Sequence, residues 1–191
     1  MSFDQIVIHF ASPTLCGIKP ANLFSVRTKV FSASAYKKWK KLFAKHGINT
    51  LKVRSSRGSV LILVYNVSWL RELLADYSVQ AYFNTKGYAV CLNDVRKFIK
   101  QLMWRVKNAE KFPHEVGIIL GYPVHDVIEF EKHGGRNCKY CGCWKTYSDV
   151  DNAKACQCRF RACSCMCVKW FDEGYSLSGI IEKYKKAVEA A

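Results

Sequence analysis

Apolar residues in the first third of the chain form two kinds of pattern, short continuous runs and helical stripes. The run over 6–10 predicts a short buried strand, and the loop after it leads to a short helix from Ala21. A helix capped by Ser34 is predicted from apolar residues at helical spacing, which are Tyr36, Trp39, Leu42 and Phe43. Alternation over 50–54 and an apolar run over 59–65 predict a hairpin whose second strand is central and buried.

The middle of the chain continues this mixture of helices and strands. Helical stripes predict helices at about 67–76 and 92–108, and a buried apolar run predicts a strand over 116–120. Pro123 suits the first turn of a helix that reaches about residue 132. Strands interleaved with helices indicate an α/β or α+β fold, a mixed sheet packed with helices, in a single domain over residues 1–191.

A cysteine-rich C-terminal part, residues 134–191, begins at a pair of glycines and is predicted to be mainly helical. Ser148 predicts the start of a long helix that Gly174 ends, and the last helix begins at Ser176 or Ser178.

The N-terminus and the apolar runs bear on the compartment. No basic segment followed by a long apolar run opens the chain, which predicts a cytoplasmic protein. The longest strongly apolar stretch, 60–65, is far shorter than the roughly 20 residues that span a bilayer, so no membrane insertion is expected. Cytoplasmic thiols stay reduced, and clustered cysteines there are better explained by metal binding, redox chemistry or packing than by a disulfide framework.

Positive charge is concentrated near the N-terminus. The formal net charge is +15, and residues 1–60 hold 11 of the 30 Lys and Arg residues with Asp4 as their sole acid. One interpretation is a nucleic-acid partner for a basic surface formed by Lys37, Lys38, Lys40, Lys41 and Arg57. The other is that these lysines only solvate the outer side of a helix, because the neighbouring aromatic residues follow its buried stripe.

The cysteines are concentrated at the other end, where eight of the ten lie between Cys138 and Cys167. Cys138 and Cys141 form a C-x-x-C-G knuckle, in which a tight turn brings two thiolates to one ion. Cys163 and Cys167, at i and i+4, share one face of the predicted helix, whereas a C-x-C pair points in opposite directions. These four residues predict a site for zinc or iron. The alternatives are cysteines packed in the core as small apolar residues, and redox disulfides.

Three stretches, Pro13–Phe24, Phe112–Val127 and Cys141–Tyr147, resemble a bacterial family known as domain of unknown function number 3793. The likeness spans nearly the whole chain in the same order. It implies a small cytosolic protein whose biochemical activity is not established. In this family the positions of Cys16 and Cys143 are commonly taken by other residue types, and the long helix is not rich in cysteine. The resemblance therefore implies a family function that does not depend on these thiols.

Residues in the same stretches are predicted to line a ligand pocket, because loops of defined sequence are better functional hints than core segments. They are Thr14, Lys19, His114 and Tyr122. Tyr122 follows the predicted strand 116–120, at the carboxyl end where α/β sheets bind ligands. The alternative is that His114 and its neighbours only position that strand.

Cys16 is the candidate nucleophile of a third functional class, a cysteine-dependent hydrolase or transferase. It is predicted to lie in a loop before a helix, where a helix N-terminus lowers a thiol pKa, with His9 or His114 as its base. No sequence signature of a known cysteine enzyme surrounds it.

Overall fold

The computed structural model describes residues 1–56, 58–90 and 92–189. Its helices are α1 (Phe3–Leu15), α2 (Ala33–Ala44), α3 (Val67–Ala75), α4 (Tyr77–Thr85), α5 (Val95–Asn108), α6 (Val116–Ile119), α7 (Val124–His133), α8 (Val150–Asp172) and α9 (Leu177–Glu189). Its strands are β1 (Ala21–Arg27), β2 (Ile48–Ser56), β3 (Ser59–Asn66), β4 (Tyr140–Cys141) and β5 (Lys145–Thr146). Helices combined with small sheets confirm the α/β or α+β class.

The chain forms two compact units. The first contains residues 1–66 with the C-terminal part from Phe160, and the second contains residues 67–159. The single domain over 1–191, with its subregion 134–191, stays a prediction.

The first unit begins with a helix, so the predicted strand over 6–10 is wrong. Ser2 and Gln5 form a capping box, in which the Ser2 side chain accepts from the Gln5 N–H and the Gln5 side chain accepts from the Ser2 N–H. The buried side chains of α1 then recur every three or four residues, as on a helix face; they include Phe3, Val7, Ala11 and Leu15. A short apolar run does not distinguish a strand from a buried helix turn, and here the capping box favours the helix.

The sheet of the first unit has the order β1-β3-β2, and both pairings are antiparallel. The predicted hairpin and the central position of β3 are confirmed. The helix predicted from Ala21 is wrong, because all seven residues of β1 pair with β3, from Ala21 opposite Tyr65 to Arg27 opposite Ser59. A buried central strand needs hydrogen-bond partners on both edges, and β1 supplies the second edge.

Two helices, α2 and α8, have caps one or two residues away from those predicted. Ser32, not Ser34, caps α2, since the Ser32 hydroxyl accepts from the Ala35 N–H. Asp149, not Ser148, caps α8 through the Asn152 N–H, because the Ser148 side chain is bonded elsewhere. Gly174, with φ +92°, follows α8.

The second unit is mainly helical, and the apolar stripe of α5 is buried as predicted. The strand predicted over 116–120 is wrong, because Val116–Ile119 form the short helix α6, whose residues are buried all round. Such a continuous apolar run fits a buried helix as well as a buried strand. None of the helices in the described ranges combines the length and apolarity needed to cross a membrane.

Candidate metal centre and cavity

Three cysteines of the first unit meet in its core. The Sγ atoms of Cys16, Cys163 and Cys167 all lie within 4.8 Å of one another, and those of Cys16 and Cys167 are 3.5 Å apart. All three residues are buried, with exposures of 7%, 1% and 0%. Within the described part of the chain, this thiol cluster is the one group of three or more Cys, His, Asp or Glu residues close enough to hold a metal ion.

Two helices position the thiols. Cys16 is the C-cap of α1, and its N–H donates to the Ser12 carbonyl at 2.8 Å. Cys163 and Cys167 lie one turn apart on α8, which places both side chains on the inner face, as their spacing predicts. Cys165, between them, is exposed. A C-x-C pair therefore does point in opposite directions on this helix.

The surroundings of the thiol cluster are apolar. Ile8, Ile180 and Tyr184 are buried against it, and the half-buried Trp170 and Phe171 pack on the same group. Burial of this kind disfavours free charge, so thiolates there need hydrogen bonds or a cation.

Hydrogen bonds among the sulfurs separate their acidities. Hydrogen bonds to Cys163 and Cys167 raise the pKa of Cys16, and burial raises it further. Hydrogen bonds from Cys16 and Cys163 lower the pKa of Cys167. The arrangement therefore favours the thiolate form at Cys167 over that at Cys16, and a thiolate is the form that binds metal.

The sulfur spacing fits a single ion. With Zn–S bonds of about 2.3 Å, tetrahedral coordination places two sulfurs about 3.8 Å apart. The 3.5 Å between Cys16 and Cys167, and the 4.8 Å limit on all pairs, bracket this distance. The residues present can thus hold zinc or iron after small side-chain adjustments.

Half of the predicted metal set belongs to this cluster and half does not. Cys163 and Cys167 are two of its members. Cys138 is half-buried and Cys141 exposed, at the β4–β5 hairpin of the second unit. The four-cysteine set from sequence spacing stays a prediction. Sequence spacing does not reveal that Cys16 joins this cluster, because it is 151 residues from Cys167 and no local spacing motif links residues so far apart.

The surroundings of Cys16 do not support its predicted role as a nucleophile. It follows the C-terminal end of α1 instead of preceding a helix, so the dipole there opposes a thiolate. Its pKa is raised, chiefly by its hydrogen bond to Cys163, whereas activation requires a lowered pKa. His9 is exposed on α1, and His114 belongs to the second unit.

A cavity of about 390 Å³ lies in the second unit. Predicted pocket residues His114 and Tyr122 both line it, together with Phe112, Phe130, Trp144 and Lys145 among others. The Tyr122 and Trp144 rings stack at a centroid distance of 5.2 Å. Burial raises the pKa of Tyr122 to about 12, so its phenol is uncharged at neutral pH.

The other two predicted pocket residues are in the first unit and do not line this cavity. Thr14 is buried and its hydroxyl donates to the Asn22 side-chain oxygen at 2.6 Å. Lys19 is also buried, with Nζ 5.4 Å from the centroid of the Phe160 ring. That these two residues contact a ligand stays a prediction.

The lysines of the proposed basic surface are exposed on α2; they are Lys37, Lys38, Lys40 and Lys41. Trp39 is only 4% exposed, packs against the Phe3 ring with the ring centroids 4.0 Å apart, and donates through Nε1 to Asp4. It is therefore not available to stack on a base. Arg57 lies outside the described residues. These contacts favour the interpretation that the lysines solvate the outer side of α2, and they give the nucleic-acid interpretation no support.

The fold and the site define an α+β protein with a buried cluster of three thiols. The chain belongs to the family described as "Protein of unknown function (DUF3793)", whose model matches residues 7–181. The resemblance seen in the sequence is thereby confirmed. The comparisons with curated proteins and with solved structures found no match.

Proposed function

We propose that this protein binds one thiophilic metal ion, zinc or iron, through Cys16, Cys163 and Cys167. The observation that carries the proposal is the mutual approach of three buried Sγ atoms within 4.8 Å. Sulfur ligands suit both metals, and the spacing does not choose between them.

The ion would act as a structural cross-link between two parts of the first unit that are distant in sequence. Cys16 terminates α1, and the other two ligands belong to the final turns of α8. Binding displaces the thiol protons, and the three thiolates then neutralise a trivalent iron ion or leave one net negative charge with divalent zinc or iron. Three protein ligands leave one position of a tetrahedral ion for a non-protein ligand.

Packing of reduced thiols is the competing explanation, since free cysteine is often buried as a small apolar side chain. Packing alone does not require that all three sulfurs point at a common centre. Metal content distinguishes the two explanations.

The test is elemental analysis of protein that is purified without oxygen. About one equivalent of zinc or iron per chain is expected, because a structural site is nearly full. Cys16→Ala and Cys167→Ala should each lose most of it. Cys165→Ala, which removes an exposed thiol from the same helix, should retain the metal.

A double variant, Cys138→Ala with Cys141→Ala, separates the proposed site from the four-cysteine set. Retention of metal by this variant supports the cluster around Cys16. Loss of metal here, with full metal in Cys16→Ala, overturns the proposal in favour of the knuckle. Less than about a tenth of an equivalent in the unmodified protein overturns both.

A further inference from the structure

We infer that the cavity of the second unit binds a small planar aromatic molecule that carries a negatively charged group, such as an aromatic carboxylate. This site is independent of the proposed metal centre, because its lining residues lie between Phe112 and Lys145 and include none of the three clustered thiols.

The size and walls of the cavity favour a flat ring system. At about 390 Å³ it is near the lower end of the range for small-molecule pockets, about 300–1,000 Å³, and suits one or two fused rings. Tyr122 and Trp144 present near-parallel rings, with an interplanar angle of 24°. Phe130 adds a third aromatic wall, and Phe112, although 47% exposed, also lines the cavity. Aromatic faces stack favourably on flat ligands.

The aromatic walls are held in place before any ligand arrives. Trp144 donates through Nε1 to the buried Asp126 carboxylate at 2.7 Å. Gly117 allows the Tyr122 ring to approach α6, since a Cβ there would lie 2.8 Å from Tyr122 Cδ2. Preorganised walls reduce the ordering cost of binding.

The polar groups favour a negative charge on the ligand. Of the described residues that line the cavity, Asp126 is the only carboxylate, and its oxygens accept four hydrogen bonds, from Trp144, Tyr147 and Ser148. Its acceptor capacity is thus largely used. Lys145 donates to the Gly135 carbonyl, and an ammonium group has two further protons to donate. The His114 ring, which packs against Phe130, is a second donor at the same cavity.

An uncharged apolar ligand would use the same walls but would displace water from the Lys145 ammonium without bringing a negative charge to it. Partial desolvation of a cation is unfavourable unless an opposite charge compensates for it, and a charge-assisted hydrogen bond to a carboxylate provides that compensation. The chemistry of the lining therefore selects the anion over its neutral analogue.

The experiment compares naphthalene-2-carboxylate with naphthalene-2-carboxamide, which has the same ring system and no charge. Binding is followed by NMR through the indole N–H of Trp144, identified with Trp144→Phe, and by calorimetry. The carboxylate should bind more tightly by about tenfold or more, as expected for a charge-assisted contact.

Variants of Lys145 test the assignment of the charge contact. Lys145→Met should remove the preference for the carboxylate and leave carboxamide binding nearly unchanged, whereas Lys145→Arg should keep it. Lys139→Met is the matched control, because Lys139 is an exposed lysine of the same hairpin that does not line the cavity.

Filling the cavity tests its location. Leu120→Trp, and separately Cys143→Phe at the exposed rim, should abolish binding of both compounds, with far-UV circular dichroism as the check of folding. Equal affinities for the two compounds, a preference that survives in Lys145→Met, or no binding at about 1 mM would overturn the inference. Binding that persists in Cys16→Ala is expected, which keeps this test separate from that of the metal centre.

Discussion

Individual side chains of the second unit matter most where a buried polar group uses several donors. Asp126 is 1% exposed and joins α7 to the β5 end of the hairpin through Trp144, Tyr147 and Ser148. A buried carboxylate is tolerated only when hydrogen bonds replace water, and here four of them do so.

Asp126→Asn should therefore destabilise the second unit by about 1–3 kcal/mol. Three of the four bonds to Asp126 are made to a single oxygen, Oδ1, and Trp144 bonds to the other, Oδ2. Asparagine has an NH₂ group in place of one of these oxygens. That group would face an N–H or O–H donor and could not accept its hydrogen bond. The measurement is the free energy of unfolding in urea. Asp151→Asn, at an exposed residue of α8, should change it by less than about 0.5 kcal/mol, and an equal effect of both variants would contradict this role.

At the scale of elements, the predictions succeeded where the signal was long and failed where it was short. The amphipathic stripe of α5 and the β2–β3 hairpin are recovered from periodicity alone. The runs at 6–10 and 116–120 were both predicted as strands and are helices. The Ser2–Gln5 capping signature in the sequence indicates a helix at the run over 6–10. No comparable signal precedes α6.

A buried hydrogen-bonded pair joins the connection after α4 to the residue just before α6. The Tyr88 hydroxyl donates to Glu115 Oε1 at 2.7 Å, and both residues are buried. Tyr88→Phe should lower the free energy of unfolding by about 1–3 kcal/mol, because Glu115 would keep its burial and lose its donor. Tyr77→Phe, at an 87% exposed tyrosine, is the control and should have little effect in the same urea titration.

The same pair predicts a dependence on alkaline pH. Burial, and then the hydrogen bond to Glu115, raise the pKa of Tyr88 above its ordinary value of 10.0. Above pH 10 the unfolded chain releases this proton while the folded chain retains it, so the stability that Tyr88 contributes falls as the pH rises. Unfolding free energies measured between pH 9 and 11 should fall less steeply in Tyr88→Phe. An unchanged slope would contradict the assignment.

For the whole molecule, the positive charge and the cysteines lead to different conclusions. The net charge is +15, and much of the positive charge lies on exposed side chains such as the lysines of α2. Their aromatic neighbour Trp39 is buried. The cysteines among the described residues divide into exposed or half-buried thiols and one buried cluster. Of these two features, the buried cysteine cluster is the one that brings reactive groups close together.

Removal of the metal should affect the two units differently. If the ion cross-links α1 and α8, a chelator should increase hydrogen exchange around Cys16 and over residues 163–172, by roughly 100-fold when metal had been present at about 100 times its Kd. Amides of α5, in the second unit, should not change. Cys16→Ala should show no response to chelator, and uniform loss of protection across both units would contradict a local cross-link.

The sequence by itself determined the fold class, the family and those elements whose pattern extends over many residues, because periodicity and long motifs are local properties of the chain. It also placed Cys163 and Cys167 on one helix face, which follows from helix geometry alone. Only the tertiary structure brought Cys16 to these thiols, and only it showed that Tyr122, Trp144 and Lys145 line one cavity. Contacts between residues distant in the chain are decided by how elements pack to bury apolar surface, and no local spacing records that outcome.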